Sequence, residues 1–432
     1  MDALKKLFGG NTRQFGMIFA LVALIILFQI MTGGLTLTPD NVINLFNGNS
    51  YILILAIGMV LVIIAGHIDL SVGSVAAAVG IVVAITMRDW NLPSWVGILF
   101  GLAIGAVIGA WQGFWVAYVG IPAFIVTLAG MLIFRGVNQY IGKSNTIPVP
   151  QDFQFIGAGF LPETGPVTGY NNLTLLIGLI GVAAVVYLEL RNRRESKALG
   201  ADVPELWVAV TKLVLIGGAI LYATYLFATG RPGTSFPIAG IILGLLVLLY
   251  GFISSKTVTG RHIYAVGGNR HAAELSGVQS KKVNFLVMMN MAILSALAGM
   301  VFVARSTASG PFDGTGWELD AIAAVFIGGA AVTGGVGTVI GSIVGGLVMA
   351  VLNNGLQLLG VGADMTAIIK GLVLLAAVAF DVYNKIQGRP SILGLLIRGA
   401  RGTGGPTING GKGTPFQPDE TTKTSEVVAK EA

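Results

Sequence analysis

The chain has no cysteine, and its three histidines, His67, His262 and His271, are scattered through 432 residues. Without thiols it has no disulfide, no thiolate metal ligand and no cysteine nucleophile, and three dispersed imidazoles do not suggest a metal cluster. Charge is also scarce: Asp, Glu, Lys and Arg make up 11% of the residues, against ~25% in an ordinary soluble domain. A large soluble enzyme is excluded on that ground. No Gly-x-x-x-x-Gly-Lys-Ser/Thr phosphate loop occurs, and Gly411-Lys412-Gly413-Thr414 misses the spacing, so the chain is not expected to hydrolyse ATP or to carry a cofactor. No Ser/His/Asp or metal-ligand set falls at one level of the sequence pattern, which sets aside an intramembrane hydrolase.

Hydrophobic residues make up 54% of the chain, and 62 residues are glycine. Apolar runs long enough to cross a ~30 Å hydrocarbon layer as helices recur from Phe15–Met31 to Ile368–Val382. The fold class is therefore an all-α polytopic membrane protein with about 12 transmembrane helices. The expected spans are 15–32, 50–66, 71–87, 95–117, 122–138, 173–188, 208–228, 236–252, 284–303, 319–334, 337–358 and 365–382. The segments near 66–71 and 319–358 carry the glycine and polar residues of broken or re-entrant helices. The first helix reads as retained, since no Ala-x-Ala-like cleavage site follows it cleanly.

The basic residues orient the spans. Lys5, Lys6 and Arg13; Arg191, Arg193, Arg194 and Lys197; Lys256, Arg261, Arg270, Lys281 and Lys282; and seven more from Lys385 to Lys430 place nineteen of the 26 Lys and Arg residues on one side. The opposite connections, 139–172 and 304–318, carry one each, Lys143 and Arg305. The positive-inside rule then puts both termini in the cytoplasm. The net charge of +6 is thus topology, with no nucleic-acid partner implied. The expected organisation is a cytoplasmic segment at 1–14, a membrane domain at 15–382 with a cytoplasmic loop at 254–283, and a mostly disordered cytoplasmic tail at 383–432.

Glycines at 97, 101, 105, 109 and 113, and again at 337, 341 and 345, repeat every four residues, so each set clears one helix face for close packing. Polar residues interrupt the apolar pattern in two places. In Gly66-His67-Ile68-Asp69-Leu70-Ser71, Gly66 permits a tight turn and Asp69 with Ser71 reads as a helix start; His67 or Asp69 lining a polar cavity is the functional alternative. Trp317, Glu318 and Asp320 read either as a solvated helix start or as the mouth of a solute path. Asn138, Asn353, Asn354 and Gln357 offer hydrogen bonds to a polyhydroxylated solute, and Phe134 and Trp317 offer stacking. Lys370 is positioned to snorkel or to pair with Asp364. In the cytoplasmic loop, Asn269–Leu275 reads as a short helix between glycine-flanked turns.

Several stretches resemble the permease subunits of bacterial ATP-binding-cassette importers for monosaccharides, the ribose, xylose and multiple-sugar group. They are Gly66-His-Ile-Asp-Leu-Ser-Val-Gly-Ser74, Gly120-Ile-Pro-Ala-Phe-Ile-Val-Thr-Leu128 with Arg135-Gly136, Val266-Gly-Gly-Asn-Arg-His-Ala-Ala-Glu-Leu-Ser-Gly277, Gly316-Trp-Glu-Leu-Asp-Ala-Ile-Ala-Ala324 and Asn353-Asn-Gly-Leu-Gln-Leu-Leu-Gly360. The segment around Arg191–Lys197 with span seven resembles the extra helices of the larger xylose-type members. The family often has glycine where His67 stands. The resemblance implies a translocation subunit in the bacterial inner membrane, paired with a second copy, a cytoplasmic ATPase and a periplasmic monosaccharide-binding protein. It also implies that Asn269, Arg270, Ala272, Ala273 and Glu274 meet the ATPase, with Gly277 ending their helix. An ion-coupled secondary sugar transporter is the rival reading, but few ionisable residues lie away from the span boundaries.

The cysteine-free background makes the topology testable. A single Ser276→Cys variant is expected to react with a membrane-impermeant maleimide only after permeabilisation, and Glu163→Cys in intact spheroplasts. Labelling of the Ser276→Cys variant from outside overturns the even-span arrangement.

Overall fold

In hydrocarbon a helix satisfies its own backbone N–H and C=O groups, and each apolar run folds as one. The computed structural model describes residues 12–200 and 205–387. Helices α1 (Thr12–Met31), α2 (Pro39–Ile64), α3 (Val72–Asp89), α4 (Ser94–Phe114) and α5 (Ala123–Ile141) come first. A short α6 (Gln151–Ala158) precedes α7 (Asn172–Ala198), α8 (Leu206–Ala228) and α9 (Ile238–Lys256). Then come α10 (Val258–Gly268), α11 (Arg270–Leu275), α12 (Ser280–Ser306), α13 (Trp317–Ile327), α14 (Val339–Leu358) and α15 (Ala363–Gln387). The strands among the described residues, β1 (Ile147–Pro148) and β2 (Ala308–Ser309), form one antiparallel pair.

The twelve expected spans map onto α1–α5, α7–α9 and α12–α15. Among the described residues, nine helices are long and apolar enough to cross a bilayer. α13 departs from the expectation: its 11 residues rise only about 16 Å, half of the hydrocarbon layer. Span ten is a half-helix, and residues 328–338 continue it without helical structure. Residues 1–11 of the expected N-terminal segment and 388–432 of the expected tail lie outside the described residues, while α15 runs on to Gln387.

α12 is the post around which α2, α3, α4 and α6 pack. The first glycine ladder lies against it. A β-carbon on Gly105 would stand 2.6 Å from Ala296 Cβ and 2.9 Å from Ala292 O, and one on Gly109 would stand 2.6 Å from Met289 Cα. The second ladder faces α13, with Gly341 and Gly345 against the carbonyls of Gly328 and Ala324. Both ladders bring backbones together where the dispersion gained by a close fit replaces the hydrophobic drive that lipid does not supply. At the C-terminus of α4, a π-helical turn, Trp115–Val119, ends at Gly120, whose φ of 86° is left-handed. That turn reverses the chain into α5.

The close approach to α12 predicts asymmetric tolerance. Gly109→Leu overpacks the backbone of α12 and is expected to cost about 1–3 kcal/mol or more, read as a lower melting temperature of the detergent-solubilised protein. Gly136→Ala, which meets nothing within 4 Å, is expected to leave it unchanged.

Candidate functional site

The first interruption begins at Gly66, which leaves α2 with a φ of 84°. α12 serves as a ruler for the depth of the segment beyond Gly66. α2 runs antiparallel to it: the Tyr51 and Phe302 rings are 4.9 Å apart, a Gly58 β-carbon would lie 3.1 Å from Leu294 Cδ1, and His67 is beside Asn284. α3 runs parallel to it, with Gly299 against the Ala76 backbone and Gly80 against Val303. Four residues before Ala76, Val72 is therefore level with about Ser295, roughly 22 Å along α12 from Ser280 at ~1.5 Å per residue. Residues 66–71 climb the interval between Asn284 and Ser295, about 16 Å, which about five extended residues span. α3 thus starts inside the membrane.

Polar groups line this break. Asp69 is 1% exposed and accepts hydrogen bonds from the Ser71 N–H at 2.8 Å and the Ser71 hydroxyl at 2.6 Å. The first of these is an Asx-turn, in which a side chain stands in for a backbone acceptor. Ser71 Oγ in turn accepts from Gln112 Nε2 at 2.8 Å, and the Thr127 hydroxyl donates to Ile68 O at 3.4 Å. Gln112 is fully buried and its Oε1 has no partner. Asp69 therefore shapes the turn that leads into α3, at membrane depth.

The second interruption faces the first. Glu318, in the first turn of α13, is 7% exposed. Its Oε2 has no hydrogen-bond partner and lies 2.9 Å from where a Gly73 β-carbon would be. Gly73 is in the first turn of α3, where the helix dipole favours negative charge. Asp320 pairs with Lys370 at 2.5 Å, both partly buried. The solvated helix-start reading of Glu318 and Asp320 is thereby corrected, because α3 and α15 cover them. So are the two alternatives for Lys370, snorkelling or pairing with Asp364: six residues along one helix turn those two side chains well apart, whereas Asp320 lies across the α13–α15 contact.

The other candidates are dispersed. Trp317 is 8% exposed, its ring packed 4.3 Å from Tyr51 and 4.6 Å from Phe302 between centroids, so it is not free to stack on a solute here. Phe134 packs edge-on against Trp111. Asn138 is buried and donates to the carbonyls of Gly310 and Pro311 at 3.2 and 3.1 Å. Asn354 and Asn41 exchange reciprocal 2.8 Å bonds that tie α14 to α2. Asn353 has a buried Oδ1 without a partner, and Gln357 is exposed. His67 lines a cavity of about 460 Å³ with Arg270, Lys281, Asn284 and the turn between α4 and α5. Gln112 and Thr127 were missed from sequence as site residues, and Ser71 was read only as part of a helix start. Gln112 had left a signal, as a single amide between Gly109 and Gly113 of an apolar helix.

Both interruptions converge on the connection between α9 and α12. The Gly335 N–H donates to Ile64 O at 2.8 Å, and the Tyr264 hydroxyl donates to Gly337 O at 2.7 Å. A Gly334 β-carbon would lie 3.1 Å from Gly66 Cα and 2.9 Å from Gly267 O, and Gly267 itself lies against Ile64 O. Immediately after this corner, Asn269 caps α11 by accepting from the Ala272 N–H at 3.0 Å. On α11, Arg270 and Glu274 pair at 3.0 Å, and the Ser280 hydroxyl donates to Glu274. Those two partners, Ser280 first, hold the Glu274 carboxyl below its ordinary 4.5. α11 ends at Ser276, and Gly277 comes next with a φ of 86°. Ala272 is exposed and Ala273 buried.

Comparison with known proteins agrees with this architecture. A family model described as "Branched-chain amino acid transport system / permease component" matches residues 41–378. The chain is 39% identical over 381 residues to the xylose transport system permease protein of Haemophilus influenzae, covering 88% of this chain and 99% of that one. It is 39% identical over 378 residues to the Escherichia coli K12 xylose permease protein, covering 87% and 93%. It is 34% identical over 373 residues to the ribose import permease protein of the same strain, covering 85% and 94%. No solved structure matches it. With this coverage at both levels, the chain belongs to the family of multi-pass inner-membrane permease subunits of ABC-type sugar importers.

Proposed function

We propose that this chain forms the translocation pathway of an ATP-driven monosaccharide importer, with xylose or a mixed monosaccharide range as its substrate. The observation that carries the mechanism is the glycine corner. Gly66, Gly267 and Gly334–Gly335 bring the two interrupted segments against the residues that lead directly into α11. A cytoplasmic ATPase that moves α11 acts on both breaks through backbone contact, with no side chain between to absorb the motion. Such a partner biases the permease only by binding one of its conformations more tightly than the other.

The sugar comes from a periplasmic binding protein and passes between two copies of the permease, whose termini lie in the cytoplasm. Within each copy, Asp69, Ser71 and Gln112 supply fixed acceptors and donors at membrane depth, and Glu318 places a carboxylate opposite them. The relatives named for xylose and ribose transport support the substrate class. On α11, Arg270, Ala272 and Glu274 form the face offered to the ATPase, Asn269 caps the helix, Ala273 packs beneath it, and Gly277 releases the chain into α12.

Reconstitution with the candidate ATPase and binding protein is expected to give xylose uptake that requires ATP. Uptake by the isolated chain in response to an ion gradient rejects the proposal. Asp69→Leu is expected to lower uptake at least tenfold while ATPase assembly persists. Gly267→Val, whose side chain meets the Ile64 carbonyl, is expected to uncouple ATP hydrolysis from uptake.

The lowered pKa of Glu274 sets its pH dependence. A carboxylate held below 4.5 contributes above that range and loses its effect as pH falls through the lowered value. ATPase assembly measured between pH 8 and 5 is therefore expected to stay level in the parent chain. Glu274→Gln is expected to weaken it several-fold across that window, and equal assembly by the two proteins removes Glu274 from the docking face.

A further inference from the structure

Arg135 is a basic residue inside α5, one of the helices long and apolar enough to cross the membrane. Gly130, five residues before it, sets its depth: a β-carbon there would meet Gln112 Nε2 and stand 3.5 Å from Ser71 Cβ. At ~1.5 Å per residue, Arg135 is only about 7.5 Å further out than the first break. Above it, Asn138 is tied to the carbonyls of Gly310 and Pro311. The Arg135 side chain is partly buried, and among the described residues it makes no hydrogen bond or ion pair. A guanidinium is costly at this depth, and one that is kept there marks a functional position.

The half-helix α13 explains what holds it. Glu318 and Asp320 leave that helix about 200° apart, since each residue turns an α-helix by ~100°. On one side, Lys370 closes on Asp320 at 2.5 Å. On the other, Glu318 is within electrostatic reach of Arg135 without forming an ion pair with it. Lys370 thus commits its ammonium to a contact, whereas Arg135 is held by an acid at a distance and keeps its N–H donors free for another acceptor. Hydroxyl oxygens accept from such donors, and the planar fork reaches two neighbouring oxygens at once. Snorkelling to the outer headgroups is the competing account of an arginine near a helix end. Glu318, 7% exposed and packed against the start of α3, draws the guanidinium inward instead. We infer that Arg135 donates to the hydroxyl groups of the passing sugar just outside the Ser71–Gln112 break, with Glu318 holding its charge in place. This rests on the monosaccharide transport proposed above and adds a solute-contacting residue to it.

Two measurements test it, the first without any transport. In spheroplasts carrying the otherwise cysteine-free chain, Arg135→Cys is expected to react with the membrane-impermeant thiosulfonate MTSET about tenfold faster than Ile133→Cys. Ile133 is 46% exposed and lies on the opposite side of the same helix, and a thiol in hydrocarbon neither ionises nor meets the reagent. Equal rates place residue 135 in lipid or in sealed packing and overturn the inference. The second measurement uses proteoliposomes holding the full chain with its candidate ATPase and binding protein. Arg135→Lys keeps the charge and the reach of the side chain and removes only the fork. The xylose moved per ATP hydrolysed is expected to fall about fivefold, a ratio that a general loss of folded complex does not change. An unaltered ratio shows that charge alone suffices and overturns the inference. Melting curves confirm folding, and the labelling of Arg135→Cys alone decides where Arg135→Lys does not fold. Absence of ATP-driven uptake by the parent complex is a separate failure, that of the transport reading itself.

Discussion

Backbone polar groups that leave a helix inside hydrocarbon must find partners in the protein, since each one left unpaired costs several kcal/mol. Among the described residues two such interruptions stand out, at 66–71 and at 328–338, and the surrounding helices close those gaps. At the first, Asp69 supplies an acceptor for Ser71, and Gln112 reaches across from α4. At the second, Ile64 O takes the Gly335 N–H, and Tyr264 donates to Gly337 O. Each bond requires strands of backbone to approach within contact distance, which explains the glycine at 66, 267, 334 and 335. A side chain at Gly267 would occupy the place of the Ile64 carbonyl.

The same breaks concentrate the chemistry. Carboxylates are expensive in a membrane, and three of them, Asp69, Glu318 and Asp320, lie in or beside the interruptions. Each has a local counterweight: a serine, the positive end of α3, and Lys370. Interruption and charge thus support one another, because a helix started at depth exposes unpaired N–H groups that favour a nearby anion. An uninterrupted bundle would offer Asp69 and Glu318 neither of the first two.

Much of this was legible in the sequence. The twelve apolar runs each became a helix, Gly66 did mark a left-handed turn, and Asn269–Leu275 did form a short capped helix. Depth was not legible. Asp69 reads as a boundary cap, and only the alignment of Ala76 with Gly299 and Gly80 with Val303 along α12 places it within the membrane. Partners distant along the chain were likewise hidden. Lys370 has an acid six residues before it and another fifty residues before it, and periodicity alone does not reveal which one tertiary packing selects. Trp317 reads as a stacking platform because its sequence neighbours are polar, yet Tyr51 and Phe302 already cover it.

α7 and α8 draw little on the rest of the bundle. They pack chiefly against each other, with Gly178 against Thr224, and α8 reaches the bundle mainly through α2. A helical pair held in this way forms a cooperative unit of its own, able to open locally while the post and the two breaks stay folded. Evolution can therefore add, trim or restyle that hairpin as a detachable outrigger without retuning the post or the two breaks.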